Sequence, residues 1–256
     1  MMKGSNICSF SNRVAFVTGA AGNVGVALCH RLIAHGVSIA AADMSIQTLA
    51  DRLADIPCDR IRFYQIDVRD RNSVNNAIGD AIKDFGHIDI LFNNAGVWNH
   101  TDVLGHQRFE QMDYSQWTNL LRINLDGTMM CCQAILPHMI ENGYGRIVNT
   151  TSISGEVGLP GYADYAAAKA GVIIFSKTLA MENAAYGITV NCVSPGMVAV
   201  GEPQPTDGTW VGRCGAADEM ARAMIFLAAD ESNFITGVDL PVEGGRILGP
   251  LNAAKL

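Results

Sequence analysis

The stretch RVAFVTGAAGNVGVALCHRLIAHGVSIAAAD, residues 13–43, decides the fold. It opens on an apolar run, RVAFVTG, that reads as a buried strand ended by Gly19. A Gly-rich turn follows and leads into a helix whose predicted C-cap is Gly36. VSIAAAD is a second apolar strand, and it ends on Asp43. Neither strand alternates polar with apolar residues, so each is covered on both faces, as in a parallel sheet.

Outward from there the same alternation repeats. A helix runs to about Ala54, a strand is predicted in IRFYQIDV (61–68), and a helix over Ser73–Phe85. IDILFNNAG (88–96) is a fourth strand, followed by a mixed, Gly-punctuated loop and one long helix over 114–142. YGRIVNTTS (144–152) is a fifth strand, 163–186 a helix, and GITVNCVSPG (187–196) a sixth strand. Residues 197–215 read as irregular, AADEMARAMIFLAAD (216–230) as an amphipathic helix and GVDLPVEGG (237–245) as the last strand. Strand–helix alternation with right-handed crossovers predicts an α/β, doubly wound parallel sheet in three αβα layers. With no repeat, linker or low-complexity stretch, 1–256 reads as a single domain with a loose polar arm over 1–12.

Composition narrows the function classes. The chain has 256 residues, 49% of them hydrophobic, and a net charge of −7 without a basic block, which points away from a nucleic-acid surface. Seven Cys occur without a C-x-x-C pair, which predicts free thiols in a reducing, cytoplasmic setting, each a small core hydrophobe. The start MMKGSNICSFSNR lacks the apolar core of a signal peptide, and no apolar run is long enough for a membrane span.

Ligands of such sheets sit beyond the C-terminal strand ends. Gly19, Gly22 and Gly25 let backbone approach a pyrophosphate at a helix N-terminus. Asp43 has two readings: an acceptor for a ribose 2′-OH that repels a 2′-phosphate, or the N-cap of the helix begun by SIQTLADRL. No Arg or Lys stands within 19–25 or beside Asp43 in sequence, which favours NAD over NADP. In SISGEVGLPGYADYAAAK (152–169), Tyr165 and Lys169 lie one turn apart on a helix, and Ser152 stands at a strand end. An ammonium beside a phenol favours the phenolate, so Tyr165 becomes a candidate proton donor or acceptor. A Y-x-x-x-K pair is common by chance; the convergence of 19–25, Asp43, 93–96, Ser152 and Pro195–Gly196 on one sheet edge is what carries the site.

These residues resemble the short-chain dehydrogenases/reductases along nearly the whole chain. The matching motifs are TGAAGNVG (18–25), Asp67–Val68, NNAG (93–96), Asn124, Ser152, Tyr165-x-x-x-Lys169, NCVSPG (191–196), GRCG (212–215) and FITG (234–237). The resemblance implies a Rossmann-like sheet of strand order 3-2-1-4-5-6-7 and a catalytic tetrad of Asn124, Ser152, Tyr165 and Lys169. It implies cofactor contacts from Gly19, Gly22, Asn23, Val24 and Gly25, from Asp43 and Met44, and from Asp67 and Val68 at the adenine. Asn94, Ala95 and Gly96, together with Pro195, Gly196 and Val198, complete them, with Tyr165 and Lys169 at the nicotinamide ribose. It also implies a homotetramer or homodimer built on the helices around 114–142 and 163–186, and a substrate lid over 197–215.

Four departures from the family pattern stand out. Asn23 replaces the middle glycine, Val200 replaces a Thr that touches the carboxamide, the lid is short, and the 97–113 loop is long. The long loop is expected to cover what the short lid leaves open, with Trp98, His100, His106 and Trp210 as candidate pocket residues. Ser154, Tyr162 and Met197 are further candidates for substrate contact. The two His have no third ligand nearby, so no metal site is expected. The implied activity is hydride exchange between NAD and a secondary alcohol or ketone, such as a cyclic or steroid-like alcohol, a polyol or a sugar. The alternatives are a 3-oxoacyl-thioester reductase and, in another class, a non-catalytic NAD-binding sensor or structural subunit.

Overall fold

The computed structural model describes residues 8–10, 12–98 and 107–249. Seven strands form one parallel sheet of order β3-β2-β1-β4-β5-β6-β7. They are β1 (Val14–Thr18), β2 (Ser38–Asp43), β3 (Ile61–Gln65), β4 (Ile90–Asn93), β5 (Gly145–Thr150), β6 (Ile188–Pro195) and β7 (Asp239–Val242). The predicted order is the observed one. Every residue of β1 and β4 is buried, as continuous apolar runs require of central strands.

The helices divide between the two faces. The helices α1 (Asn23–Ala34), α2 (Ile46–Arg52) and α8 (Ala217–Ala228) pack on one side, around Leu28, Leu32, Leu49 and Met224. On the other lie α3 (Arg71–Phe85), α5 (Gly127–Asn142) and α7 (Ala163–Asn183), around Val74, Ile78, Ile135 and Met139. Cys29, Cys131, Cys132 and Cys192 are buried and burial raises their thiol pKa values, so they behave as core side chains.

Several local expectations change. The N-cap of α2 is Ser45, whose hydroxyl accepts from Thr48 N at 3.1 Å, so Asp43 is not the cap. Asp70 caps α3 and starts it at Arg71, two residues before the predicted Ser73. The single helix predicted over 114–142 is α4 (Tyr114–Leu121), a π-helical turn (Arg122–Asp126) and then α5. A π turn inside an α-helix leaves no hydrophobic-periodicity signal, and such turns frequently sit at functional positions. The polar arm is not loose where it is described: Phe10 is buried against His35, and Ser9 bonds the Glu231 carboxylate. A further short helix, α6 (Ser154–Val157), lies between β5 and α7.

Segment 197–215 holds no helix. Backbone bridges Val198–Gly215 and Pro205–Arg213 fold it on itself, and Val211 N donates to Gly244 O just beyond β7.

The turn after β1 depends on missing side chains. Gly19 has φ +63°, and a Cβ on Gly25 would lie 2.3 Å from Gly19 O and 2.7 Å from Ala20 Cα. Those neighbours are backbone and cannot swing away. Gly25→Ala is therefore expected to destabilise the protein by about 3 kcal/mol or more. Gly79, exposed inside α3 with nothing within 4 Å of its added Cβ, gives the contrast. Gly79→Ala is expected to stabilise by about 0.5–1 kcal/mol. Urea unfolding of both variants measures the pair.

Candidate active site

Parallel strands bring their C-terminal ends to one edge, and the sequence-predicted residues gather there in two groups. The first surrounds the β1–α1 turn. Thr18 Oγ1 accepts from Asn94 N at 3.1 Å and Ala95 N at 3.0 Å, and Asn94 Nδ2 donates to Gly19 O at 3.1 Å. The NNAG stretch thus fastens β4 to the turn. Asn93 supports the strand by donating to Asn149 Oδ1 at 2.8 Å. Asp43 Oδ2 accepts from Ala21 N at 3.0 Å and Oδ1 from Met44 N at 2.8 Å, which seats the carboxylate against the turn. Met44 is exposed beside it.

The same region shows what sequence spacing missed. Arg52, at the end of α2, donates to Ala21 O at 2.5 Å and to Asn23 Oδ1 at 2.9 Å. A cation does lie at the turn, although none is near it in sequence. Asp67 also departs from its simple expectation. Its carboxylate is bound by the Arg69 guanidinium, 2.7 Å from Nη2, and that hydrogen bonding holds its pKa below the usual range. Val68 is buried against Gly127, where a Cβ would lie 2.9 Å from its side chain.

The second group lies past β4 and β5. Ser152 Oγ accepts from Ser154 Oγ at 3.0 Å and from Ser154 N at 3.2 Å, and its hydroxyl acts to lower the Tyr165 pKa. With its acceptor side occupied by Ser154, Ser152 keeps its own proton for the Tyr165 side. Ser154, expected at the substrate, is itself buried and orients Ser152. Lys169 is buried and its ammonium donates to Thr150 O at 2.8 Å. Desolvation lowers its pKa to about 8. Lys169 Nζ lies 5.6 Å from the Tyr165 ring centroid and is not among the groups that shift the Tyr165 pKa here. Burial raises the Tyr165 pKa, and the opposing influence comes from Ser152.

Asn124 sits in the π turn, fully buried, and donates from Nδ2 to Val97 O at 2.8 Å and Leu120 O at 3.2 Å. Its Oδ1 has no hydrogen-bond partner among the described residues. A Cβ on Gly96 would lie 2.7 Å from that Oδ1 and 3.4 Å from Lys169 Nζ, so Gly96, Asn124 and Lys169 meet at one point.

The substrate candidates separate. Trp98 and Tyr162 have ring centroids 6.2 Å apart, and Tyr162 and Tyr165 6.5 Å, which forms an aromatic row ending at the candidate proton donor. Trp98 is 59% exposed at its outer end. Gln107 N reaches Gly161 O at 3.4 Å, so both described ends of the 97–113 loop flank Tyr162. His100 and His106 lie outside the described residues. Met197 packs instead beside Gly208 and Arg246, and Trp210 against Gly245. Pro195 closes β6, and Gly196 needs its missing side chain, since a Cβ would lie 2.6 Å from Glu243 Cβ. Among the described residues no cluster of His, Cys, Asp and Glu could hold a metal ion, and no helix is long and apolar enough to cross a membrane.

The donors at this edge fit a nicotinamide dinucleotide. A glycine turn opens at a helix N-terminus, a carboxylate stands at the end of β2, and a buried, unpartnered amide oxygen and Lys169 Nζ both border Gly96.

Comparison with known proteins agrees with this geometry. A family model described as short chain dehydrogenase matches residues 13–207. The 3-oxoacyl-(acyl-carrier-protein) reductase of Haemophilus influenzae is 35% identical over 251 residues, covering 92% of this chain and 98% of that protein. The meso-2,3-butanediol dehydrogenase of Serratia marcescens is 33% identical over 245 residues, covering 92% of this chain and 95% of that one. Among solved structures, the crystal structure of gox2181 superimposes with a TM-score of 0.87 at 32% identity, over 94% of this chain and 98% of that one.

The buried ammonium has a pH signature. Its folded-state pKa, about 8, lies below its ordinary value of 10.5. Between those values the unfolded chain binds more protons, so stability rises with pH there, and the cost of burying the charge is full below about pH 8. The unfolding free energy of the native protein should gain on that of Lys169→Met across this window, with a slope approaching about 1.4 kcal/mol per pH unit. Denaturant unfolding of both proteins at a series of pH values measures it.

Proposed function

The chain belongs to the short-chain dehydrogenase family, and from that premise we propose that it interconverts a secondary alcohol and its ketone with NAD. The observation that carries this reading is Tyr165 one helical turn from the buried Lys169, with Ser152, held by Ser154, acting on its hydroxyl. The chemistry a nicotinamide supplies when bound is hydride exchange with the substrate carbon.

The chain's own residues handle the oxygen and its proton. In reduction Tyr165, kept protonated by burial, donates its proton to the carbonyl oxygen as negative charge develops there. Ser152 donates a hydrogen bond to the same oxygen. In oxidation the Tyr165 oxygen takes up the alcohol proton, so it must first lose its own. Lys169 exchanges its proton near pH 8 and, with Asn124 Oδ1 also bordering Gly96, is placed to resupply Tyr165 through solvent after reduction and, once deprotonated, to take the Tyr165 proton before oxidation.

NAD is favoured because the Asp43 carboxylate, seated on Ala21 N and Met44 N, repels a 2′-phosphate. A secondary alcohol is favoured over a carrier-bound thioester by the rim charges. Arg213 is paired with Glu219 and Arg108 with Glu110, so of these rim cations neither is free for a phosphopantetheine or an acidic carrier. The second reading, a 3-oxoacyl-thioester reductase, rests on the 35% identity to the Haemophilus influenzae enzyme. Residues 1–256 act as one domain in this reading, with 197–215 as its substrate lid. The exposed apolar side chains of α4 and α7, Tyr114, Ile174 and Met181 among them, suit a homodimer or homotetramer built on those helices.

A panel of cyclic alcohols, polyols, their ketones and 3-oxoacyl thioesters, each with NAD(H) and NADP(H), tests the activity by absorbance at the nicotinamide band. Turnover of alcohols or ketones is expected, with Tyr165→Phe lower by about 10³-fold in kcat. Turnover of thioesters alone selects the second reading, and turnover of nothing selects a non-catalytic dinucleotide-binding protein. For the cofactor, Asp43→Ser should raise the NADP/NAD ratio of kcat/KM by about tenfold or more. Equal use of both cofactors by the unaltered protein refutes the NAD assignment.

A further inference from the structure

The β1–α1 turn lacks the glycine its family pattern places at position 23, and the Asn23 that stands there is tied to Arg52. Backbone bonds hold the turn's shoulders: Gly22 N donates to Gly19 O at 3.0 Å and Ala20 N to Ala42 O at 3.2 Å. Ala21, at its outermost point, is held by side chains on both sides. Its N–H donates to Asp43 Oδ2 at 3.0 Å, and its carbonyl accepts from Arg52 Nη1 at 2.5 Å. The same guanidinium takes Asn23 Oδ1 at 2.9 Å. Arg52 is the last residue of α2, so these two bonds join the end of that helix to the start of α1 across the mouth of the turn.

The charge matters as well as the bonds. Among the described residues no carboxylate pairs with Arg52, and the neighbouring Asp51 accepts instead from Gln47. An arginine whose charge is unmatched, with a planar fork on two acceptors, is both a strut and a positive end at an anion-binding turn.

We propose that Arg52 is a cofactor-positioning residue that braces the pyrophosphate turn through Ala21 O and Asn23 Oδ1 and so sets affinity for the adenosine-diphosphate half of the dinucleotide. This rests on the nicotinamide-dinucleotide reading above. Asn23 then has a role in this chain beyond tolerating the turn: its side chain is the acceptor that locks Arg52 in place. The brace acts on the adenosine side of the cleft, distant in sequence from Tyr165 and Lys169, so it should move cofactor affinity without moving the chemical step.

Calorimetric titration of the full chain with NAD+, ADP and nicotinamide mononucleotide tests the idea on the unaltered protein, Arg52→Met, Arg52→Lys and Asn23→Ala. Arg52→Met should weaken NAD+ and ADP by about tenfold each and leave nicotinamide mononucleotide unchanged. In steady state the KM for NAD+ should rise while kcat stays within about twofold. Arg52→Lys, which keeps the charge but loses the fork, should fall between, and Asn23→Ala, which breaks only the 2.9 Å bond, should cost about threefold. If Arg52→Met does not fold, Asn23→Ala and Arg52→Lys carry the test. Equal ADP affinity in all four proteins overturns the brace while leaving the dinucleotide reading intact. Equal losses for all three ligands, or a fall in kcat matching the fall in affinity, overturn it by making Arg52 a general structural residue. Failure of the unaltered protein to bind any dinucleotide overturns both readings together.

Discussion

The joint between β1 and β4 is the constraint on which this molecule depends. The order 3-2-1-4-5-6-7 runs outward in both directions from that pair, so the crevice for ligands opens where they meet. Thr18 Oγ1, receiving Asn94 N and Ala95 N, closes the joint, and Asn94 Nδ2 on Gly19 O locks the glycine turn to it. The turn's shape then follows from contacts that admit no side chain, above all Gly25 against the Gly19 carbonyl. With the joint held, the ends of β2, β4, β5 and β6 are carried to fixed places around one cleft.

On the far side of the joint a buried charge organises the chemistry. Lys169 donates its proton to the Thr150 carbonyl rather than to Tyr165, and desolvation weakens its hold on that proton. Tyr165 is only partly accessible, and desolvation pushes its pKa up while Ser152 acts against that rise. The proton affinities of both groups are thus set by burial and not by each other. The π turn adds Asn124 to this set by turning one amide inward, its Nδ2 satisfied by Val97 O and its Oδ1 facing Gly96 and Lys169.

The rim of the cleft is braced differently on its two sides. The 197–215 segment is short and bonded to itself, and the Glu243 carboxylate beyond β7 accepts from Gly245 N and Ile247 N to stiffen the strand end it leans on. Arg246 reaches across to Gly208 O, which ties the two segments together. The opposite side presents the aromatic row from Trp98 through Tyr162 to Tyr165.

The sequence by itself determined the alternation of strands and helices, the parallel sheet and its order, the glycine turn, and the side chains able to exchange a proton. The alternation, the turn and the helix-borne side chains are written in short-range pattern, apolar runs ended by Gly and spacings of three or four on a helix, while the sheet order came from the family resemblance of the motifs. Only the tertiary structure decided what those side chains meet. Arg52 comes to Ala21 and Asn23 from another helix, and the Thr150 carbonyl that holds Lys169 is backbone, which no residue type announces. The direction of the Tyr165 pKa also belongs to the fold, because desolvation depends on everything packed around the phenol and not on the lysine one turn away. Asp43 shows both sides at once. Its place at a strand end was legible, while its choice of the Ala21 and Met44 amides over the cap of α2 came from the turn that β1 and β4 hold against it.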